Sequence, residues 1–198
     1  MHSLVEVDAL VIGGKPRGEA DRYVTLLTRE RGLIQARSIG VRAERSKLRY
    51  AVQDFALLRC YLVRGKTEWR LTNAVLLRHF HADLAAARAL PPAARVASLV
   101  SRLVHGEGEH PAECASLFAT VESAWSMLAS GLDADSADAL EAAAALKILR
   151  ALGYLAETPG VPVLSADPAV TFEAVAALAP ARREAIEAIN RALRESHL

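Results

Sequence analysis

Between Arg37 and Tyr50 the chain reads RSIGVRAERSKLRY, and five of residues 37–49 are cationic: Arg37, Arg42, Arg45, Lys47 and Arg49. Only Glu44 opposes them. The four cations within residues 42–49 repel one another unless anions neutralise them. A run of phosphates is the anion that suits such a polar, flexible loop. Further cations flank it: Lys15 and Arg17 in GGKPRGE (13–19), Arg59 in FALLRCYLV (55–63), Arg64 and Lys66 just after, and Arg70 in EWRLTNAVLL (68–77). Along 55–63 one parity carries Arg59 and Tyr61, and the other carries Ala56, Leu58, Cys60 and Leu62. Arg59 and Tyr61 therefore share an outward strand face, with Trp69 on the neighbouring segment. Cations that track a phosphate backbone, joined by aromatics that stack on bases, are the combination used to bind single strands. For Tyr61 and Trp69, burial in the core stays as open as stacking.

Other chemistry is poorly served. GGKPRGE contains the Gly-Lys of a phosphate loop, but that loop needs Ser or Thr after the Lys and a helix beyond it. Here Pro16 follows Lys15 and a strand comes next. His79 and His81 form an HxH pair without a neighbouring acidic or cysteine ligand, so no metal is expected. Cys60 alternates into an apolar strand face and reads as core, and Cys114 is 54 positions away. No nucleophile has a base beside it and no carboxylates pair as an acid and base. The expectation is a binding protein with no catalytic residue and no cofactor.

The elements that position the cations change texture near His81. Before it, period-2 alternation over Val5–Val11, a glycine-rich loop at 13–18, a hairpin over 23–41 and strands at 55–63 and 68–77 make five strands in about eighty residues. Such a set suits a small closed barrel, of which the five-stranded OB-fold is the common nucleic-acid version. After His81, Ala and Leu recur at helical spacing. Helices are expected from Pro91 or Pro92 to Val104, from Pro111 to Ser130 with Gly131 as its C-terminal cap, and from Asp135 or Ser136 to Leu152 before Gly153. The last of these is apolar almost all round, as befits the centre of a bundle. A proline-rich connection (157–168), a helical turn near 171–178 and a helix over 182–195 follow. The fold class is α+β: an N-terminal OB-fold barrel over residues 1–80 and an all-helical domain over 81–198.

Charge divides at the same place. Residues 1–81 hold 15 Lys and Arg against 8 Asp and Glu, a balance of +7, while residues 82–198 hold 9 against 15, a balance of −6. The two modules therefore have different partners. Apolar residues are 52% of the chain and charged ones 24%, as in a globular protein. There is no run of eighteen apolar residues, so no membrane span is expected. The N-terminus alternates like a strand rather than resembling a signal peptide, so a cytoplasmic location is expected.

Several segments, in order, resemble the RecO family of bacterial recombination mediators. They are Gly18-Glu19-Ala20-Asp21-Arg22 before a hairpin, Gly32, the basic stretch Gly40–Arg49, Gln53-Asp54-Phe55, and LKILRALGY at 146–154. The resemblance implies an N-terminal OB-fold and a C-terminal helical domain. It implies binding of single- and double-stranded DNA, annealing of complementary strands, and action with RecR and the single-stranded DNA-binding protein to load recombinase at gaps, hence association with the nucleoid. Many members carry a four-cysteine zinc site after the LGY helix. This chain has no cysteine after Cys114, so zinc is not expected. Its C-terminal part is also shorter than the resemblance implies. The expected phosphate contacts are Lys15, Arg17, Arg37, Arg42, Arg45, Lys47, Arg49, Arg59, Arg64, Lys66 and Arg70, with Tyr61 or Trp69 stacking. The acidic half is expected to receive the tail of the single-stranded DNA-binding protein through Arg102, Lys147 and Arg150. The rival reading is an OB-fold module that binds RNA in translation or RNA handling.

Overall fold

The computed structural model describes residues 4–108, 110–155, 158–162 and 164–195. They fall into two compact units, residues 1–81 with 104–118, and residues 82–103 with 119–198.

The first unit is a closed barrel. Its strands are β1 (Leu4–Arg17), β2 (Asp21–Thr28), β3 (Gly32–Ser38), β4 (Ala56–Arg64) and β5 (Trp69–His79). The order around the barrel is β1-β2-β3-β5-β4, and β1 pairs with β4 to close it. All pairings are antiparallel except β3 with β5. This is the OB-fold arrangement expected from the strand pattern. Alternation sends Val7, Ala9, Val24, Leu26, Ile34, Ala36, Leu58 and Leu62 inward, and Cys60 lies among them. Burial pushes the Cys60 thiol up to about 12, so it stays protonated and inert.

Two features depart from the expected strand limits. β1 does not stop at Gly13; it runs through the glycine-rich segment to Arg17, with a bulge between Val11 and Gly13. Beyond Leu10 it pairs only with β2, so Pro16 sits at an edge where its missing N–H costs nothing. A side chain at Gly14 would collide with the carbonyl of Tyr23, and glycine there allows the close pairing. The second feature is the segment 104–118, which the sequence pattern gave to the helical half. Gly32, at φ 65°, bridges Glu107, the N–H of Leu33 donates to the Gly106 carbonyl (3.2 Å), and that of Gly108 donates to Arg31 (3.0 Å). A Cβ on Gly32 would come within 2.8 Å of the Gly108 nitrogen.

Between β3 and β4 lies the basic segment. It is not a free loop. Successive turns over 39–47 lead into a single helical turn, α1 (Leu48–Ala51). Val41, Ala51 and Val52 are buried in the barrel core and hold the segment down.

Helices α2 (His81–Ala86), α3 (Leu90–Leu103), α4 (Pro111–Ala129), α5 (Ala134–Ala151), α6 (Phe172–Leu178) and α7 (Arg182–Glu195) make up the rest. α5 is the bundle centre, with every residue from Ala142 to Leu149 buried. Its cap is Asp133 rather than Asp135 or Ser136. The Asp133 carboxylate accepts the Ser136 N–H (2.9 Å) and the Ser136 hydroxyl (2.8 Å), and these bonds lower its pKa. α3 and α4 are joined where Trp125 Nε1 donates to the Ala93 carbonyl at 3.1 Å.

Candidate nucleic-acid interface

The barrel cations expected as contacts separate into two groups once the strands are in register. One group is already paired. Arg59, exposed on β4, meets Asp8 of β1 (Nε to Oδ1, 3.0 Å) and Glu6 (3.5 Å), because the antiparallel register sets Arg59 opposite Asp8. Arg37 on β3 donates to both sides of an acidic pair, Asp21 (2.7 and 2.9 Å) and Glu68 (3.4 Å). Arg17, at the end of β1, lies 3.7 Å from Glu68 and 4.8 Å over the Tyr23 ring. Arg64 pairs with Glu107 and lies 5.0 Å over the Trp69 ring. The hydrogen bonds that Arg59 donates to Asp8 raise its pKa, and those that Arg37 donates to Asp21 and then Glu68 raise that of Arg37, so both stay charged.

The other group has no carboxylate partner among the described residues. It holds Lys15, Arg42, Arg45, Lys47, Arg49, Lys66 and Arg70, all exposed. Four of the seven are in the basic segment, and backbone bonds hold that segment in shape. The Arg42 N–H donates to Ala20 (2.8 Å), the Gly40 N–H to the Asp21 carboxylate (2.8 Å), and the Arg49 N–H to Ser46 (3.2 Å). The Gly40 bond is the largest cause of the lowered Asp21 pKa, ahead of Arg37. The Arg42 guanidinium donates to the Gly18 carbonyl (3.1 Å), a neutral group that fixes its place without cancelling its charge.

A cavity of about 240 Å³ opens here, lined by Arg22, Val41, Arg42, Arg49 and Val52. Arg22 was not among the expected contacts. It arrives from β2 and donates to the Val52 carbonyl (2.9 Å) and to Asp54 (2.6 Å). Tyr50, next to Arg49 on α1, is 69% exposed and was also missed. Its place at the end of the basic run was the available signal.

The two expected aromatics fare differently. Trp69 is 7% exposed, belongs to the barrel core, and donates its Nε1–H to Glu107 (2.9 Å). It is a core residue and offers no ring face to a base. The inward parity of β5 at Trp69 and Leu71 is the reason. Tyr61 is half-buried on the outward face of β4, on the same parity as Arg59.

In the second unit the three expected partner cations also diverge. Arg102 is exposed and has no ion pair among the described residues. Lys147 is 8% exposed, and its ammonium donates to the Ser165 (3.1 Å) and Asp167 (2.6 Å) carbonyls. Burial lowers its pKa, Asp167 opposes the shift and Arg150 adds to it. Lys147 ties the proline-rich connection to α5, which leaves it no surface role. Arg150 has Nε and Nη2 buried without a hydrogen-bond partner among the described residues.

His79 and His81 stand with ring centroids 6.1 Å apart, and burial followed by the His81 charge lowers the His79 pKa. Among the described residues, no three His, Cys, Asp or Glu side chains are grouped to hold a metal ion. No helix of the described residues is long and apolar enough to cross a membrane.

Known proteins resemble this chain in the same region. The family described as "Recombination protein O N terminal" matches residues 1–80. A DNA repair protein RecO from Heliobacterium modesticaldum is 33% identical over 154 residues, which is 78% of this chain and 53% of that protein. A DNA repair protein RecO from Gloeothece citriformis is 36% identical over 80 residues, 40% of this chain and 28% of that protein. The chain thus matches about half the length of the first relative.

Proposed function

We propose that this chain, whose first 80 residues match the RecO N-terminal family, is a DNA repair and recombination mediator that binds single- and double-stranded DNA and anneals complementary strands. The observation that carries this reading is the basic segment 42–49. Four cations without carboxylate partners among the described residues are held on a barrel by buried Val41, Ala51 and Val52. Keeping like charges together in a fixed shape stores repulsion that a phosphate backbone relieves. Annealing asks for no catalytic group. It asks that two strands be brought together with their charge neutralised and their base edges free, and cations that contact only phosphate meet that need. The protein acts without enzymatic turnover.

The paired cations fit the same role. Surface ion pairs contribute little, about 0–1 kcal/mol, so a phosphate exchanges for a carboxylate at small cost. Arg17, Arg37, Arg59 and Arg64 form a reserve around the unpaired group. RecR and the single-stranded DNA-binding protein are the proposed partners in loading recombinase at gaps. On the helical unit, Arg102 and Arg150 remain for the carboxylates of an acidic tail; Arg102 is exposed, whereas Nε and Nη2 of Arg150 are buried, which favours Arg102 of the two.

The test is strand annealing with fluorophore- and quencher-labelled complementary oligonucleotides, beside binding to RNA of the same sequence. Faster annealing with DNA bound at least as tightly as RNA supports the reading. RNA preferred strongly over DNA, with no annealing, favours the RNA-handling alternative.

A further inference from the structure

We propose that the cavity between β2, the basic turns and α1 is a nucleotide subsite for single-stranded DNA. One backbone phosphate sits between Arg42 and Arg49, and the adjoining base stacks on Tyr50. The inference rests on the DNA-binding reading and names where on the barrel a nucleotide is held.

Three observations meet at this place. The cavity, about 240 Å³, has arginines on its walls and two valines, Val41 and Val52, in its lining. Its arginines are unequal. Arg22 is engaged by Asp54 and by the Val52 carbonyl, so it braces α1 against β2. Arg42 touches only a neutral carbonyl, and Arg49 has no ion pair among the described residues. Two guanidiniums therefore line one opening with their charge unanswered. Arginine presents a fork of donors that matches phosphate oxygens, and two such forks suit one phosphate better than two separated ones.

Tyr50 supplies the other half. It follows Arg49 on α1, and 69% of it is exposed, the largest exposed fraction among the exposed large apolar and aromatic side chains of the described residues. An aromatic ring left in water, one residue from an arginine that lines the cavity, is an uncovered apolar surface, and an unpaired base covers it. Trp69, the other candidate, is closed inside the barrel. The selectivity follows from chemistry. A phosphate is present in single strands and duplexes alike, whereas a duplex keeps its bases paired and stacked on each other. Arg42 and Arg49 therefore serve both forms of DNA, and Tyr50 serves the single strand.

The test uses fluorescence anisotropy with a labelled oligonucleotide and its duplex, for wild type, R42A/R49A, Y50A and Y50F, all checked for wild-type melting. R42A/R49A is expected to weaken both forms and to lower the slope of log K against log salt on the single strand by about 0.7, the value for one phosphate. Y50A is expected to weaken single-strand binding about fivefold or more and leave the duplex unchanged, while Y50F binds as wild type. Wild-type affinity and slope in folded R42A/R49A would overturn the phosphate seat. Equal loss on both forms with Y50A, or no loss, would overturn the stacking. Wild type that binds neither form removes the DNA-binding reading itself, and this subsite with it.

Discussion

Glu68 holds two of the barrel's cations in check, so changing it should strengthen DNA binding rather than weaken it. Its carboxylate lies 3.4 Å from Arg37 and 3.7 Å from Arg17, and it accepts the Tyr23 hydroxyl at 2.6 Å. Glu68→Gln keeps the shape and the tyrosine bond and removes one negative charge. Arg37 keeps its Asp21 partner (2.7 Å), so the charge released is that of Arg17 with a share of Arg37. At about 4–6 Å in a water-like dielectric one charge is worth roughly 0.7–1 kcal/mol, which is about three- to fivefold in affinity at low salt. One more phosphate contact steepens the salt slope on single strands by about 0.7. Two part-exposed ion pairs are lost, each worth about 0.2–1 kcal/mol, so melting should drop only modestly. Anisotropy across a salt series, with thermal melting beside it, measures both. A folded Glu68→Gln protein with unchanged or weaker affinity and an unchanged slope would refute the idea that Arg17 and Arg37 lie on the DNA path.

Lys147→Ala should lower stability by about 1–3 kcal/mol, since the Ser165 and Asp167 carbonyls lose their donor, and hydrogen exchange should rise selectively over residues 164–168; uniform exchange would count against the tether. Asp21 is ionised in the fold with its pKa below the usual 3.8, so its contribution is full above that pH and is lost as pH falls through the lowered value. The melting-temperature gap between wild type and Asp21→Asn should therefore be open at neutral pH and close as pH falls through the lowered pKa of Asp21, and a gap independent of pH would contradict the Gly40 and Arg37 bonds as its source. Both tryptophans, Trp69 and Trp125, are buried, so DNA should leave tryptophan emission nearly unchanged; strong quenching would mean that Trp69 is not held in the core.

Much of the barrel was readable from alternation alone, because a strand with one face in a core announces which parity is buried. Ala56, Leu58, Cys60 and Leu62 are the clearest case. The extent of β1 was not readable. Gly13, Gly14 and Pro16 signal a turn in isolation, and only the approach of β2 reveals that they continue a strand. The attachment of 104–118 to the barrel was hidden for a similar reason: it depends on backbone pairing of Gly32 with Glu107, residues far apart in the chain. Among the cations, sequence marks where they cluster but not which are neutralised. Arg37, Arg17 and Glu68 come together only through the register of three strands. The basic segment kept its expected charge but lost its expected flexibility, because Val41 and Val52, two apolar residues in a polar run, anchor it. Trp69 shows the limit of parity arguments on a strand whose outer half carries exposed Val75, Leu76 and Leu77. Local composition there does not say which face is the core.

The most direct measurement is the salt dependence of single-stranded DNA binding by the protein with Arg42, Arg45, Lys47 and Arg49 all changed to Ala. Their side chains are exposed and make no ion pair among the described residues, so the variant should melt close to wild type. With Arg42 and Arg49 sharing one phosphate and Arg45 and Lys47 holding one each, three contacts vanish and the slope of log K against log salt falls by about 2. Affinity should drop by more than tenfold at low salt, and strand annealing should slow with it. A folded variant that keeps wild-type affinity, slope and annealing would contradict the basic segment as the principal DNA contact.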